Sequence, residues 1–125
     1  MRVFKTKPFA RFAADNAIAD AVLCEAVRRA RSGLVDADLG GGVIKQRIAR
    51  PGQGKSGGYR TIMFFKKAGS ITIFAYGFAK NDRDNVDRNE LAAFKLLAKR
   101  MLALTGTELG MAMKNGTILE IECDA

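Results

Sequence analysis

Residues 59–65 and 70–78 form two apolar, β-rich runs separated only by Lys66-Lys67-Ala68-Gly69. Runs of this kind joined by a short glycine-containing turn predict a β-hairpin, which makes the centre of the sheet antiparallel. The alternation over residues 43–49, with Lys45 and Arg47 set against Ile44, Gln46 and Ile48, predicts another strand. Shorter strands are expected at Val3-Phe4 and over residues 117–122. Helices fill the rest. Thr6 is placed to cap a short helix with Pro8 in its first turn and Phe9, Phe12 and Ala13 facing inward. After Asp15-Asn16, the residues Ala19, Val22, Leu23, Ala26, Val27 and Ala30 recur at helical spacing as one apolar stripe, and Gly33 stops the helix. Asp87-Arg88-Asn89-Glu90 has the form of a capping box, followed by an inner face of Leu91, Phe94, Ala98, Met101 and Leu102. Thr107 opens a last short helix that ends at Asn115-Gly116. Gly40-Gly41-Gly42 is read as a joint, and residues 51–58 as a long, mobile loop.

At 125 residues the chain is one domain, residues 1–125, and 48% hydrophobic residues suffice for a core without disulfides or metals. The expected class is α+β: a twisted, central antiparallel sheet, with a mixed sheet left open, packed by N-terminal helices and a C-terminal helix. No stretch has the apolar length of a membrane span, so no membrane partner and a cytoplasmic location are expected.

Two absences narrow the chemistry. There is no histidine, which removes histidine acid–base catalysis and every nucleophile paired with a histidine. Cys24 and Cys123 lie far apart without CxxC spacing, so a zinc site is excluded, no metal or other cofactor is expected, and both thiols are read as reduced. Cys24 is taken for a packing residue.

Lys and Arg number 21 against 13 Asp and Glu, a formal charge of +8. Between Leu39 and Lys80 stand eight cations and no acid. A solvated surface normally mixes both signs, so this segment suits a polyanion, nucleic acid ahead of a merely solubilising surface. The segment Gly54-Lys55-Ser56 mimics a nucleotide-binding loop, but a β-rich run follows it where that loop needs a helix N-terminus. Residues 81–87 carry several acids but lack the glycine and glutamate of a calcium loop, and helix capping explains them better.

The basic residues are the serious candidates. Lys45 and Arg47 are two apart on a strand and share a face. Arg60 follows Tyr59 at the start of the hairpin, and Lys80 and Arg83 stand where its second strand ends. Such a cluster can cleave RNA, whose 2′-OH supplies the nucleophile. Guanidinium groups stabilise the pentacovalent phosphate, and a lysine crowded by cations can act as base. DNA lacks the 2′-OH and would escape this chemistry.

The block Arg50-Pro-Gly-Gln-Gly-Lys-Ser-Gly-Gly-Tyr-Arg60, then Tyr76-Gly-Phe-Ala-Lys80-Asn81 and a helix with Glu90-Leu91-Ala92, resembles the RelE/ParE superfamily. More narrowly it is similar to RelE- or HigB-type toxins of bacterial type II toxin–antitoxin systems, over nearly the whole chain. The resemblance implies a RelE-like fold and a cognate antitoxin bound in a toxin–antitoxin hetero-oligomer. It also implies ribosome-dependent cleavage of mRNA, that is, an endoribonuclease or mRNA interferase. Arg60 matches the arginine at the scissile phosphate, with Lys45 or Lys80 as base. Arg47, Arg50, Lys55, Tyr59 and Arg83 would bind RNA. This chain has Val86-Asp87 where some members place a base-stacking tyrosine, so stacking would fall to Tyr59 or Phe78. Two alternatives stand beside this reading. One is a ParE-like inhibitor of DNA gyrase without nuclease activity, and the other a basic RNA-binding module without catalysis.

Overall fold

The central hairpin is formed by β4 (Gly54–Phe65) and β5 (Ile71–Ala79), antiparallel from Tyr59 opposite Ala79 to Phe65 opposite Thr72. The structure is a computed structural model and describes residues 1–50, 54–80, 83 and 85–123, without the side chains at 50 and 54–57. On the outer side of β4 lies β3 (Val43–Arg50), antiparallel, with Lys45 opposite Ile62 and Arg47 opposite Arg60. Residues 54–58, expected as loop, belong to β4: Gly54 pairs with Arg50 of β3 across a register shift, and the Gly58 carbonyl accepts from the Lys80 N–H, contacts that override the weak strand preference of glycine. Residues 51–53 of that expected loop lie outside the described residues.

The Gly40-Gly41-Gly42 joint is a turn in which all three residues have positive φ, +85°, +64° and +83°. Only glycine adopts such a run readily. The turn folds a short strand, β2 (Ala37–Gly40), back onto β3, an element the sequence did not announce.

On the inner side of β5 lies β1 (Arg2–Thr6), and the two are parallel. The last strand, β6 (Ile118–Ile121), is antiparallel to β1. The six-stranded sheet therefore runs β2-β3-β4-β5-β1-β6 and is mixed, with its antiparallel centre as expected.

One face is covered by α1 (Lys7–Asp15) and α2 (Asp20–Arg31). Thr6 caps α1, its hydroxyl accepting from the Phe9 N–H at 3.3 Å and donating to the Ala75 carbonyl at 3.0 Å. Phe9, Leu23, Ala26, Val27 and Ala30 bury against Ile44, Ile48, Tyr59, Met63 and Phe74. The predicted stripe of α2 is thus the buried one from Leu23 to Ala30, while Val22 is half-buried and Ala19 is the exposed N-cap. Gln46 is wholly buried within this layer and ties α2 to the sheet: its amide donates to the Ala26 and Leu34 carbonyls, and its oxygen accepts from the Asp36 N–H.

The opposite face carries α3 (Arg88–Met101), opened by the capping box of Asp87 and Glu90. It also carries α4 (Gly106–Lys114), capped by Thr105 and Glu108 rather than starting at Thr107. Cover is thinner here, since α3 buries only Ala98 and Met101 completely. None of the described helices is long and apolar enough to cross a membrane.

The expectation of two reduced cysteines is overturned. Cys24 on α2 and Cys123 just after β6 are joined in a disulfide, their Cα atoms 5.6 Å apart. The sheet brings β6 beside β1, and β1 lies under α2, so tertiary structure closes a separation of 99 residues that spacing could not foretell.

Candidate nucleic-acid interface

Side chains alternate along a strand, and cross-strand partners share a face. Val43, Ile62 and Phe64 belong to the core on the α3 side. Lys45 and Arg47 follow Val43 at two-residue steps, and Arg60 precedes Ile62 by two. All three cations therefore share the α3 face, with Arg47 directly across from Arg60. Like charges directly opposite each other are unfavourable in a sheet. The pair persists here with no acid in ion-pair reach of Lys45, Arg47 or Arg60 among the described residues.

Arg60 is the extreme case. It is 5% exposed, and its Nη1 is buried without a hydrogen-bond partner among the described residues. An ionised side chain taken out of water without a partner opposes folding. Lys45 beside it is half-buried and Arg47 is exposed. The three cations line one strip of the sheet beside α3, a cationic groove suited in charge and donor chemistry to a phosphate.

A register shift in the β4–β5 ladder after Ile62 sets the floor of this groove. It puts Ala75 and Tyr76 in succession on the α3 side, so Phe78 lies opposite Arg60 on that face while Gly77 turns to α1. A Cβ at Gly77 would sit 2.4 Å from the Phe12 ring, so any residue but glycine here would have to displace that ring. Lys80 is exposed, and its N–H donates to the Gly58 carbonyl at 3.3 Å, which extends the ladder and places it beyond Phe78.

Two expected RNA contacts look different in three dimensions. Tyr59 adjoins Arg60 in sequence and so takes the other face, 3% exposed under α1 and edge-on to Phe12 at 5.5 Å. A ring packed there has no surface for a base, which corrects its assignment as an RNA contact. Arg83 stands at the edge of the groove with its guanidinium 5.4 Å from the Phe78 ring centre. Its donors are committed, however, to both carboxylate oxygens of Glu90 and to the Asn85 carbonyl. The Glu90 hydrogen bonds raise the Arg83 pKa above its ordinary value, and Arg83 in turn lowers that of Glu90 to about 2. Arg83 therefore acts as a strut between the end of β5 and the start of α3.

Arg50 and Lys55 have their backbones in β3 and β4, and their side chains lie outside the described set. Phe78 is 4% exposed and covered by Arg83. Tyr76 is the ring that sequence reasoning overlooked. It is half-buried on the groove face and packs against Phe78 at 5.9 Å and Phe94 at 5.7 Å. Its position two residues before Phe78 was the available signal.

A search of curated proteins finds no match to the chain. Residues 1–121 match the family model described as the RelE toxin of the RelE/RelB toxin–antitoxin system. With the mixed sheet, its paired helices and the cationic face in place, the chain belongs to the RelE toxin family, the toxin half of a toxin–antitoxin system whose partner is an antitoxin.

Proposed function

We propose that this toxin halts translation by cutting mRNA on the ribosome, without a metal, using the RNA 2′-OH as nucleophile. The observation that carries the reading is Arg60, a buried cation with one donor, Nη1, that has no partner among the described residues, set opposite Arg47 and near Lys45. In the reaction the 2′-oxygen loses its proton and attacks the adjacent phosphorus. The phosphorane gathers negative charge, and the 5′-oxygen leaves as it takes up a proton, giving a 2′,3′-cyclic phosphate. Arg60 stabilises the phosphorane, and preorganised donors of this type contribute about 10²–10³ in rate. Lys45 or Lys80 serves as base, with the other placed to protonate the leaving oxygen. Arg47, Arg50 and Lys55 hold the backbone on either side. Tyr76 takes the stacking role first considered for Tyr59 and Phe78. The ribosome supplies the alignment of 2′-oxygen, phosphorus and leaving oxygen that a shallow groove does not impose alone.

The test is primer extension on a reporter mRNA with purified toxin, with and without ribosomes. Cuts that require ribosomes and vanish in Arg60→Ala are the expected result. Intact mRNA in both conditions overturns it. An arrest of DNA synthesis ahead of protein synthesis on expression would then point to gyrase. Ribonucleoprotein binding with steep salt dependence but no cleavage would leave a non-catalytic RNA-binding module.

A further inference from the structure

The Cys24–Cys123 disulfide lies on the α1/α2 side of the sheet, remote from the cationic groove. Cys24 is 5% exposed, whereas Cys123 is half-buried. Both line a cavity of about 420 Å³ whose other walls include Val3, Val27, Arg28 and Arg31. Cys24, Val27, Arg28 and Arg31 fall at i, i+3, i+4 and i+7 of α2, on one helix face. Arg28 and Arg31 are exposed, and neither forms an ion pair among the described residues. A disulfide that closes a long loop merely to add stability needs no access. This one lines an open cavity, together with two exposed guanidinium groups that form no ion pair among the described residues.

Beyond the cavity, the disulfide holds a lightly anchored piece of the fold. α4 buries only Leu109, and β6 is a four-residue edge strand that pairs with one strand, β1, and otherwise packs mainly against α1 and α4. Ile118 and Ile121 enter opposite core layers, and Arg2 grips Glu120 through two hydrogen bonds of 2.8 and 2.9 Å. The tie to α2 is the covalent one.

We propose that Cys24–Cys123 is a reversible thiol–disulfide latch, reached by a small acidic thiol of the glutathione type through the cavity flanked by Arg28 and Arg31, and that it governs how firmly the α4–β6 unit is held. The carboxylates of such a thiol pair with the two guanidinium groups. Its thiolate attacks Sγ of Cys123, the more accessible sulfur, and the Cys24–Cys123 bond breaks. Cys24 leaves as a thiolate and takes a proton from water, while Cys123 carries the mixed disulfide. A second thiolate attacks the sulfur of the bound thiol, releasing Cys123 as a thiolate that is protonated in turn, and the oxidised small disulfide departs. The reverse sequence, starting from the oxidised small disulfide, closes the latch.

The experiment uses the full chain in buffers of fixed reduced-to-oxidised glutathione ratio, quenched by alkylation and weighed. Reversible interconversion of the latched and dithiol forms is expected. Hydrogen exchange on the same samples should quicken roughly tenfold or more at the β6 amides on reduction, and leave β3 and β4 unchanged. The charge-reversed Arg28→Glu/Arg31→Glu variant should be reduced by glutathione about 3- to 10-fold more slowly at low salt, with the gap closing as salt rises. Reduction by uncharged 2-mercaptoethanol should keep its wild-type rate. The milder Arg28→Gln/Arg31→Gln pair repeats the test if charge reversal perturbs folding. The proposal falls if no disulfide forms at any ratio, if β6 exchange ignores the redox state, or if both reductants respond alike to the arginine variants. None of these readouts involves RNA, so they are independent of the proposed nuclease activity.

Discussion

The two faces of the sheet are built to different standards. Under α1 and α2, five residues of α2 alone are buried, Phe9 meets Phe74 at 5.1 Å, and the buried Gln46 has every contact it needs. Across the sheet, α3 buries two residues and leaves Leu96 and Leu97 exposed at 55% and 41%. Beyond α3 the strands carry cations that form no ion pair among the described residues, one of them buried. The first face obeys the rules of stability, and the second departs from them where the candidate site lies. Such local departures are expected of functional surfaces rather than of scaffolds.

That contrast can be broken most directly in the scaffold. Phe9→Ala removes a wholly buried ring from the α1 layer and should lower unfolding free energy by about 3–5 kcal/mol in urea titrations. Leu97→Ala on the other face should cost well under about 1 kcal/mol, because that side chain is already partly in water. Comparable losses from the two variants would remove the distinction between the faces. Next in size comes Gln46→Leu, of similar volume but without donors. It removes the amide partner from the partly buried Leu34 carbonyl and Asp36 N–H, and from the Ala26 carbonyl, which keeps its helical bond, and a loss of about 1–3 kcal/mol is expected.

Arg60 sharpens the comparison by inverting the sign. Arg60→Met keeps most of the volume and removes a buried charge that has no acid in ion-pair reach among the described residues. Stability should hold or rise by up to about 2 kcal/mol. Ribosome-dependent cleavage should fall by roughly 10²-fold or more. A variant that loses stability as well as activity would make Arg60 part of the scaffold, and the departure from packing rules would lose its functional meaning.

How much of this was legible follows from the range of the interactions involved. The Thr6 cap, the α2 stripe, the Asp87–Glu90 capping box and the central hairpin depend on residues a few positions apart, and the sequence displays them openly. The common face of Lys45 and Arg47 is equally local. Tyr59 was legible and was misread, because adjacent strand residues cannot both face the groove that holds Arg60. Long-range pairing was hidden. The parallel contact of β1 with β5, strand β2, the strand character of residues 54–58 and the Cys24–Cys123 link all depend on partners brought in by the finished sheet. The engagement of Arg83 by Glu90 needed the path of the chain from β5 into α3, which composition does not reveal.

That last pair gives the smallest expected effect and the most selective test of the open face. Glu90 serves two partners at once: its carboxylate accepts from Arg83, and Oε1 also accepts from the Asp87 N–H in the capping box. Glutamine preserves the capping acceptor and removes only the charge. Hydrogen bonds from Arg83 first, and from the Asp87 backbone second, lower the Glu90 pKa from 4.5 to about 2. A carboxylate depressed in this way stabilises the fold fully above its unfolded pKa and loses that contribution as pH falls through the folded one. The melting temperature of wild type should therefore exceed that of Glu90→Gln at neutral pH, by a small margin because both side chains are about one-third exposed. The margin should shrink between pH 4.5 and about 2 and vanish below, and added salt should narrow it at every pH. A gap that persisted at pH 2 would mean that Glu90 acts through its capping bond and shape rather than through Arg83. The cationic groove would then lose its one described ionic tie between the end of β5 and the start of α3.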